Sequence, residues 1–208
     1  MLMKGKFITI EGCEGVGKST QLKKLASYLN DIGVDAVFTR EPGGTEISEK
    51  IRNIILDATN VEMTPVTELL LYAAARRQHT EQLIIKAVNE GKVVVCDRYA
   101  DSTMAYQGFG RNLDKQVISS LNALATEGVK IDLTLFLDLD PEKGFLRKGG
   151  ADKSDRMENE KIDFHKRVYQ GFDHIAKTEE RVARIDASKS VDEVFEQIKT
   201  ALASIGVK

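Results

Sequence analysis

Short apolar runs alternate along the chain with longer segments in which apolar residues recur every three or four positions. The runs at 7–10, 36–38, 93–96, 133–137 and 182–185 predict five strands. Val93, Val94 and Val95 are apolar on consecutive positions, as in a strand covered on both faces, so the economical arrangement is an α/β fold, a parallel sheet flanked by helices. The amphipathic periodicity predicts helices over 18–32, 47–56, 66–89, 113–127, 141–147, 158–180 and 191–205. The stretch 148–155 includes Gly149, Gly150, Ala151, Asp152, Lys153 and Ser154 and is the poorest in apolar residues. It reads as a mobile excursion within a single domain spanning 1–208.

Composition narrows the class without naming a chemistry. Hydrophobic residues are 42% and charged residues 30% of 208, an ordinary soluble balance that argues against a disordered chain or a membrane protein. Lys and Arg total 30 against 32 for Asp and Glu, so no global basic field draws the chain to nucleic acid or anionic lipid, and any anion site is local. Cys13 and Cys96 are too few for a disulfide framework and lack metal-ligand spacing, which makes the reducing cytoplasm the expected compartment. The start of the chain does not read as a cleavable signal peptide. His79, His165 and His174 are separate and indicate neither a zinc site nor a catalytic histidine.

The chemistry enters with Gly12-Cys13-Glu14-Gly15-Val16-Gly17-Lys18-Ser19-Thr20, between the first predicted strand and the first predicted helix. This is the GxxxxGK[ST] phosphate loop in its required setting. The glycines let the backbone fold around phosphate oxygens, the helix start supplies oriented N–H groups, Lys18 adds a point charge, and Ser19 can ligate magnesium. ATP or GTP with Mg2+ follows, on a P-loop NTPase fold; the bland alternative is a glycine-rich turn that binds nothing. No glycine has an Asp three residues before it and NKxD is absent, which argues against a regulatory GTPase. Glu14 puts a carboxylate inside the loop, where it would repel nucleotide phosphates unless it faces a second, hydroxyl-bearing ligand.

Three further motifs occur in order: Thr39-Arg40-Glu41-Pro42-Gly43-Gly44-Thr45, Leu71-Tyr72-Ala73-Ala74-Ala75-Arg76-Arg77, and Asp97-Arg98-Tyr99 followed by Ser102-Thr103-Met104-Ala105-Tyr106-Gln107-Gly108. With Asp155-Arg156-Met157-Glu158 near the C-terminal part, the chain resembles the thymidylate kinases over essentially its whole length. The resemblance implies transfer of the ATP γ-phosphoryl group to dTMP, in-line and with Mg2+, by a cytoplasmic homodimer that engages neither nucleic acid nor membrane. The alternatives are a broader pyrimidine nucleotide kinase and a nucleotide-dependent binding switch.

The resemblance also implies roles. Tyr72 stacks on thymine, Arg76 bonds its carbonyl edge, Thr103 and Gln107 read its polar edge, and Tyr106 crowds the sugar's 2′ position. Tyr72 and Arg76, like Thr103 and Gln107, are four residues apart and share a helix face. Arg98 and Arg52 hold the acceptor phosphate. Asp97 and Glu41 are candidates for Mg2+ or its waters beside Ser19, with a purely structural role as the alternative: Asp97 would then orient Lys18 or Arg98. The Glu41–Pro42 peptide is a candidate cis bond. No arginine lies within the phosphate loop, so the cation that stabilises the moving phosphoryl group is expected from a lid at about 147–157. Arg156 is the first choice there, with Arg147 at the other end; Lys148 and Lys153 add charge without the planar fork, with ordinary solvated charges as the alternative reading. Asp186-Ala187-Ser188 resembles a turn beside the ATP adenine.

Overall fold

The computed structural model describes residues 5–208; the first four residues of the expected domain lie outside the described residues. One five-stranded parallel sheet organises the fold: β1 (Lys6–Glu11), β2 (Ala36–Arg40), β3 (Val93–Asp97), β4 (Leu133–Asp138) and β5 (Val182–Asp186), in the order β2-β3-β1-β4-β5. The uninterrupted apolar run of β3 is explained by burial on both faces. Ile8 and Ile10 point into the larger cluster, with Leu25, Leu135, Phe172 and Ile198, while Phe7 points into a second cluster with Val94, Cys96 and Tyr99.

Each strand runs one or two residues past its last predicted position, and the added terminal residue is polar in every case: Glu11, Arg40, Asp97, Asp138 and Asp186. The sheet's C-terminal edge is therefore a row of charged groups. β1 connects through α1 (Lys18–Asp31) to β2 at the sheet's edge, and β3 lies between β1 and β2. This chain reversal opens the crevice in which open α/β sheets bind ligands.

The remaining helices are α2 (Glu46–Leu56), α3 (Pro65–His79), α4 (Ile85–Asn89), α5 (Ala100–Thr103), α6 (Lys115–Thr126), α7 (Pro141–Lys148), α8 (Ile162–Thr178) and α9 (Val191–Ser204). The expected 66–89 helix is interrupted by a π-helical turn, Thr80–Ile84, between α3 and α4. The helical stretch at 100–110 was not expected from the apolar pattern: α5 continues as a π-helix, Met104–Gly110. π-helical turns widen the helix and recur at functional sites; this one carries Tyr106 and Gln107. The expected lid is fastened at its C-terminal end, where Asp57 and Asp155 form an antiparallel bridge and the Arg156 N–H donates to the Leu56 carbonyl at 2.9 Å.

Candidate active site

The sheet's C-terminal edge, the phosphate loop, α2, α3, the π-helix and the lid enclose a cavity of about 460 Å³. At its floor Gly17 caps α1 with φ 96°, a left-handed conformation suited to glycine. Lys18 is buried and donates to the Gly12 and Cys13 carbonyls at 3.1 and 3.0 Å; burial, reinforced by Arg98, lowers its pKa. Glu14, Gly15, Val16, Gly17, Lys18, Ser19 and Thr20 line the cavity. Gly12 and Cys13 do not line it, and Cys13 fills space, its thiol pushed up to about 12 by burial. The loop's outer side meets α7 backbone to backbone: a Cβ on Gly15 would lie 1.9 Å from the Gly144 carbonyl oxygen.

Asp97 closes β3 beside Lys18, and its Oδ1 is buried with no hydrogen-bond partner among the described residues. A carboxylate oxygen orphaned next to a loop serine is the donor set expected of a magnesium site completed by phosphates and water. Glu41 is different. Its Oε2 accepts from Arg76 Nε at 2.7 Å and its Oε1 is bonded to His79 Nδ1 at 3.0 Å, both within the buried interior. Of the two expectations for Glu41, Mg2+ or a structural role, these bonds favour the structural one, in which it anchors Arg76. The Glu41–Pro42 peptide is cis.

Arg98 follows Asp97 with φ 67°, turning its side chain back toward the phosphate loop. Its Nη1 donates to the Gly12 carbonyl at 2.8 Å, its Nη2 pairs with Glu14, and its guanidinium lies 5.1 Å from the centre of the Tyr106 ring. The Tyr106 hydroxyl donates to the same Glu14 oxygen at 3.2 Å. Burial alone would raise the Glu14 carboxyl, but Arg98 and Lys18 hold it down at about 2, so it stays an ionised acceptor. Glu11, unassigned by sequence, accepts from the Tyr99 N–H and the Ser102 hydroxyl and so fixes the turn that aims Arg98. Burial, with Asp101 nearby, pushes its carboxyl up to about 8. Arg52 enters from α2, donating to the Pro42 carbonyl at 2.8 Å; burial and then Arg40 disfavour its charge, a deficit that a phosphate would relieve.

At the far end Tyr72, Arg76, Thr103 and Gln107 line the same cavity. Arg76 is only 2% exposed, and four of its N–H groups are engaged, by Glu41, Thr103, Asn122 and the Tyr99 carbonyl. One Nη2 hydrogen remains for a ligand.

The lid departs most from expectation. Arg156 does not line the cavity: its Nη2 donates to Glu68 at 2.6 Å and its Nε to the Ile55 carbonyl at 2.9 Å. Arg147 does line it but is pinned to the Ala187 and Ser188 carbonyls at 2.7 and 3.3 Å, beside the turn that resembles an adenine neighbour. Both guanidiniums, expected to act on the moving phosphoryl group, are held by other partners in this structure. Lys148, for which a solvated charge was the alternative reading, is turned toward the phosphate loop. It lines the cavity, pairs with Glu158 and helps lower the Glu14 carboxyl.

Three comparisons bear on this site. The family model described as thymidylate kinase matches residues 10–198. The thymidylate kinase of Finegoldia magna is 48% identical over 92% of this chain and 94% of its own length, and that of Clostridium novyi 46% identical over 94% and 97%. The crystal structure of thymidylate kinase from Ehrlichia chaffeensis superimposes with a TM-score of 0.79 at 34% identity, covering 96% of this chain and 98% of that one.

Proposed function

Since this chain belongs to the thymidylate kinase family and phosphorylates dTMP to dTDP with ATP on a P-loop NTPase fold, we propose a division of labour among its residues. The phosphate loop, Lys18 and the start of α1 hold the ATP phosphates. Ser19 and Asp97 hold Mg2+, which when bound screens the phosphate oxygens; the orphaned Asp97 oxygen supports that assignment. Arg98 and Arg52 hold the dTMP phosphate, and Tyr72 stacks on thymine. Gln107 accepts the thymine N3–H while the remaining Arg76 hydrogen meets a ring carbonyl. Glu14 keeps one oxygen on Arg98 and Tyr106 and turns the other to a sugar hydroxyl, and Tyr106 fills the space a 2′-hydroxyl would need.

The reaction is a direct transfer. A dTMP phosphate oxygen attacks the γ-phosphorus and the bond to the bridging oxygen breaks, leaving ADP. The protein's part is positioning and charge compensation. Lys148 supplies the lid's charge to the moving phosphoryl group, and Arg147 flanks the adenine. The whole of 1–208 is read as one kinase domain with its lid at about 147–157.

The observation that carries this reading is the Arg98–Glu14 pair, which opens an acceptor side off the phosphate loop within one continuous cavity. The test is ADP formation from ATP and Mg2+ with each nucleoside monophosphate and with thymidine, Lys18→Ala serving as control. The highest kcat/KM is expected with dTMP. Better turnover of dCMP, UMP or thymidine would sink the acceptor assignment.

The protein is further proposed to be a homodimer. α3 packs against both α2 and α6, and together they leave Ile47, Ile54, Val66, Leu70, Val117 and Leu124 exposed, Leu124 by 71%. Apolar residues at helical spacing on three adjoining helices form the kind of patch that a second copy covers. The double substitution Leu70→Asp with Leu124→Asp is expected to yield a monomer in sedimentation; a mass still twice that of the chain would place the interface elsewhere. No helix among the described residues is long and apolar enough to cross a membrane. The cytoplasm is the proposed compartment, in keeping with the use of ATP and with the free thiols of Cys13 and Cys96.

A further inference from the structure

Glu68 lies behind the base end of the cavity. Its carboxylate is 1% exposed and does not line the cavity, whereas Gln107 does. Oε1 accepts from Gln107 Nε2 at 2.8 Å and from Arg111 Nε at 3.1 Å. Oε2 accepts from Arg111 Nη2 at 2.9 Å and from Arg156 Nη2 at 2.6 Å. Burial works to raise this carboxyl, and Arg111, Gln107 and Arg156 together outweigh it and hold it below its ordinary range. Arg111 in turn pairs with Glu160, so two carboxylates and two guanidiniums form a cluster of balanced charge with Glu68 at its buried end.

An ionised carboxylate only accepts hydrogen bonds, so Glu68 imposes one of the two possible orientations on the Gln107 amide. The nitrogen must face Glu68, which leaves the carbonyl oxygen and the second N–H for the cavity. Thymine presents an N3–H donor flanked by carbonyl acceptors and matches that orientation. Cytosine presents an unprotonated N3 beside an amino group and matches the flipped amide. A glutamine free to turn would serve both bases equally well; one held by an acceptor on its far side serves thymine.

We propose that Glu68 is a positioning residue for base selection: by fixing the Gln107 amide it favours thymine over cytosine, and Arg156, from the lid's stem, holds its carboxylate in place. This rests on the reading that Gln107 faces the base. It also gives Arg156 a role that its position outside the cavity requires.

The experiment compares kcat/KM for dTMP and dCMP in the unmodified protein and four variants. In Glu68→Gln the new side chain offers either an acceptor or a donor to Gln107, so the dTMP:dCMP ratio is expected to fall at least about tenfold, mainly through opposite changes in the two KM values. Arg156→Gln is expected to lower the ratio by about threefold, with the dTMP effect in KM rather than kcat. Gln107→Leu should collapse the ratio, and adding Glu68→Gln to it should change the ratio no further.

Equal losses on both substrates in Glu68→Gln, at an unchanged ratio, would mean a structural role only and would overturn the proposal. If that variant fails to fold, an unchanged ratio in Arg156→Gln overturns it instead. If Gln107→Leu leaves the ratio intact, base reading by Gln107 itself is wrong and the proposal falls with it, a failure distinct from one confined to Glu68.

Discussion

Replacing Arg98 with alanine is expected to lower kcat/KM for dTMP on the order of 10³-fold, read by steady-state ADP release. Two losses combine. The guanidinium proposed to grip the acceptor phosphate disappears, and with it the ion-pair partner of Glu14. Arg98 and Lys18 keep that carboxyl ionised, down at about 2. Without Arg98, Glu14 keeps the Tyr106 hydroxyl and the nearby charge of Lys18 but loses its ion-pair partner, so more of its negative charge bears on the dTMP phosphate. A second substitution therefore separates the two terms. Glu14→Gln placed on Arg98→Ala is expected to recover about tenfold in KM, since it removes the repulsion without restoring the grip. A loss below tenfold in Arg98→Ala alone would show that the acceptor phosphate is held elsewhere. The backbone contributes too: Arg98 sits at φ 67°, in a turn that Glu11 fixes through Tyr99 and Ser102.

The strands were legible because each is a short, mainly apolar run, and for the same reason each was cut short. A strand's last residue at this edge leaves the core and turns polar, and Glu11 and Asp97 are two such residues that serve the site. The helix carrying Thr103 and Gln107 escaped the apolar pattern, since Ala105, Gly108 and Gly110 pack through small side chains and give weak periodicity. Glu68 left a signal that was readable in retrospect. It precedes Tyr72 by four residues and Arg76 by eight, so a carboxylate shares the helix stripe that faces the base. The lid could not be resolved from sequence. Arg147, Lys148, Lys153 and Arg156 are all cations near a glycine-rich segment, and only the fold shows which already have partners. Glu41 stayed open between two roles for the complementary reason: its place in a motif beside the phosphates does not reveal that Arg76 and His79 occupy both its oxygens.

Those partners single out Lys148 for the second large effect. Lys148→Ala is expected to reduce kcat on the order of 10²-fold while the KM for dTMP moves little, because the lost charge acts on the transferring phosphoryl group and not on the bound acceptor. Glu158 holds the ammonium from both carboxylate oxygens and also accepts the Asp152 N–H at 2.7 Å, which keeps the lysine at the cavity wall instead of in solvent. An ammonium on a flexible stem can exchange Glu158 for a γ-phosphate oxygen as ATP binds, whereas a guanidinium fixed to backbone carbonyls, like that of Arg147, cannot do so without breaking its anchor. Lys148→Arg is therefore expected to keep most of kcat. Arg156→Ala provides the contrast, with its cost in KM for dTMP through Glu68 and Gln107. A kcat within threefold of the unmodified protein in Lys148→Ala, together with a 10²-fold loss of kcat in Arg156→Ala, would mean that the lid releases Arg156 from Glu68 during turnover and that the catalytic cation is the arginine.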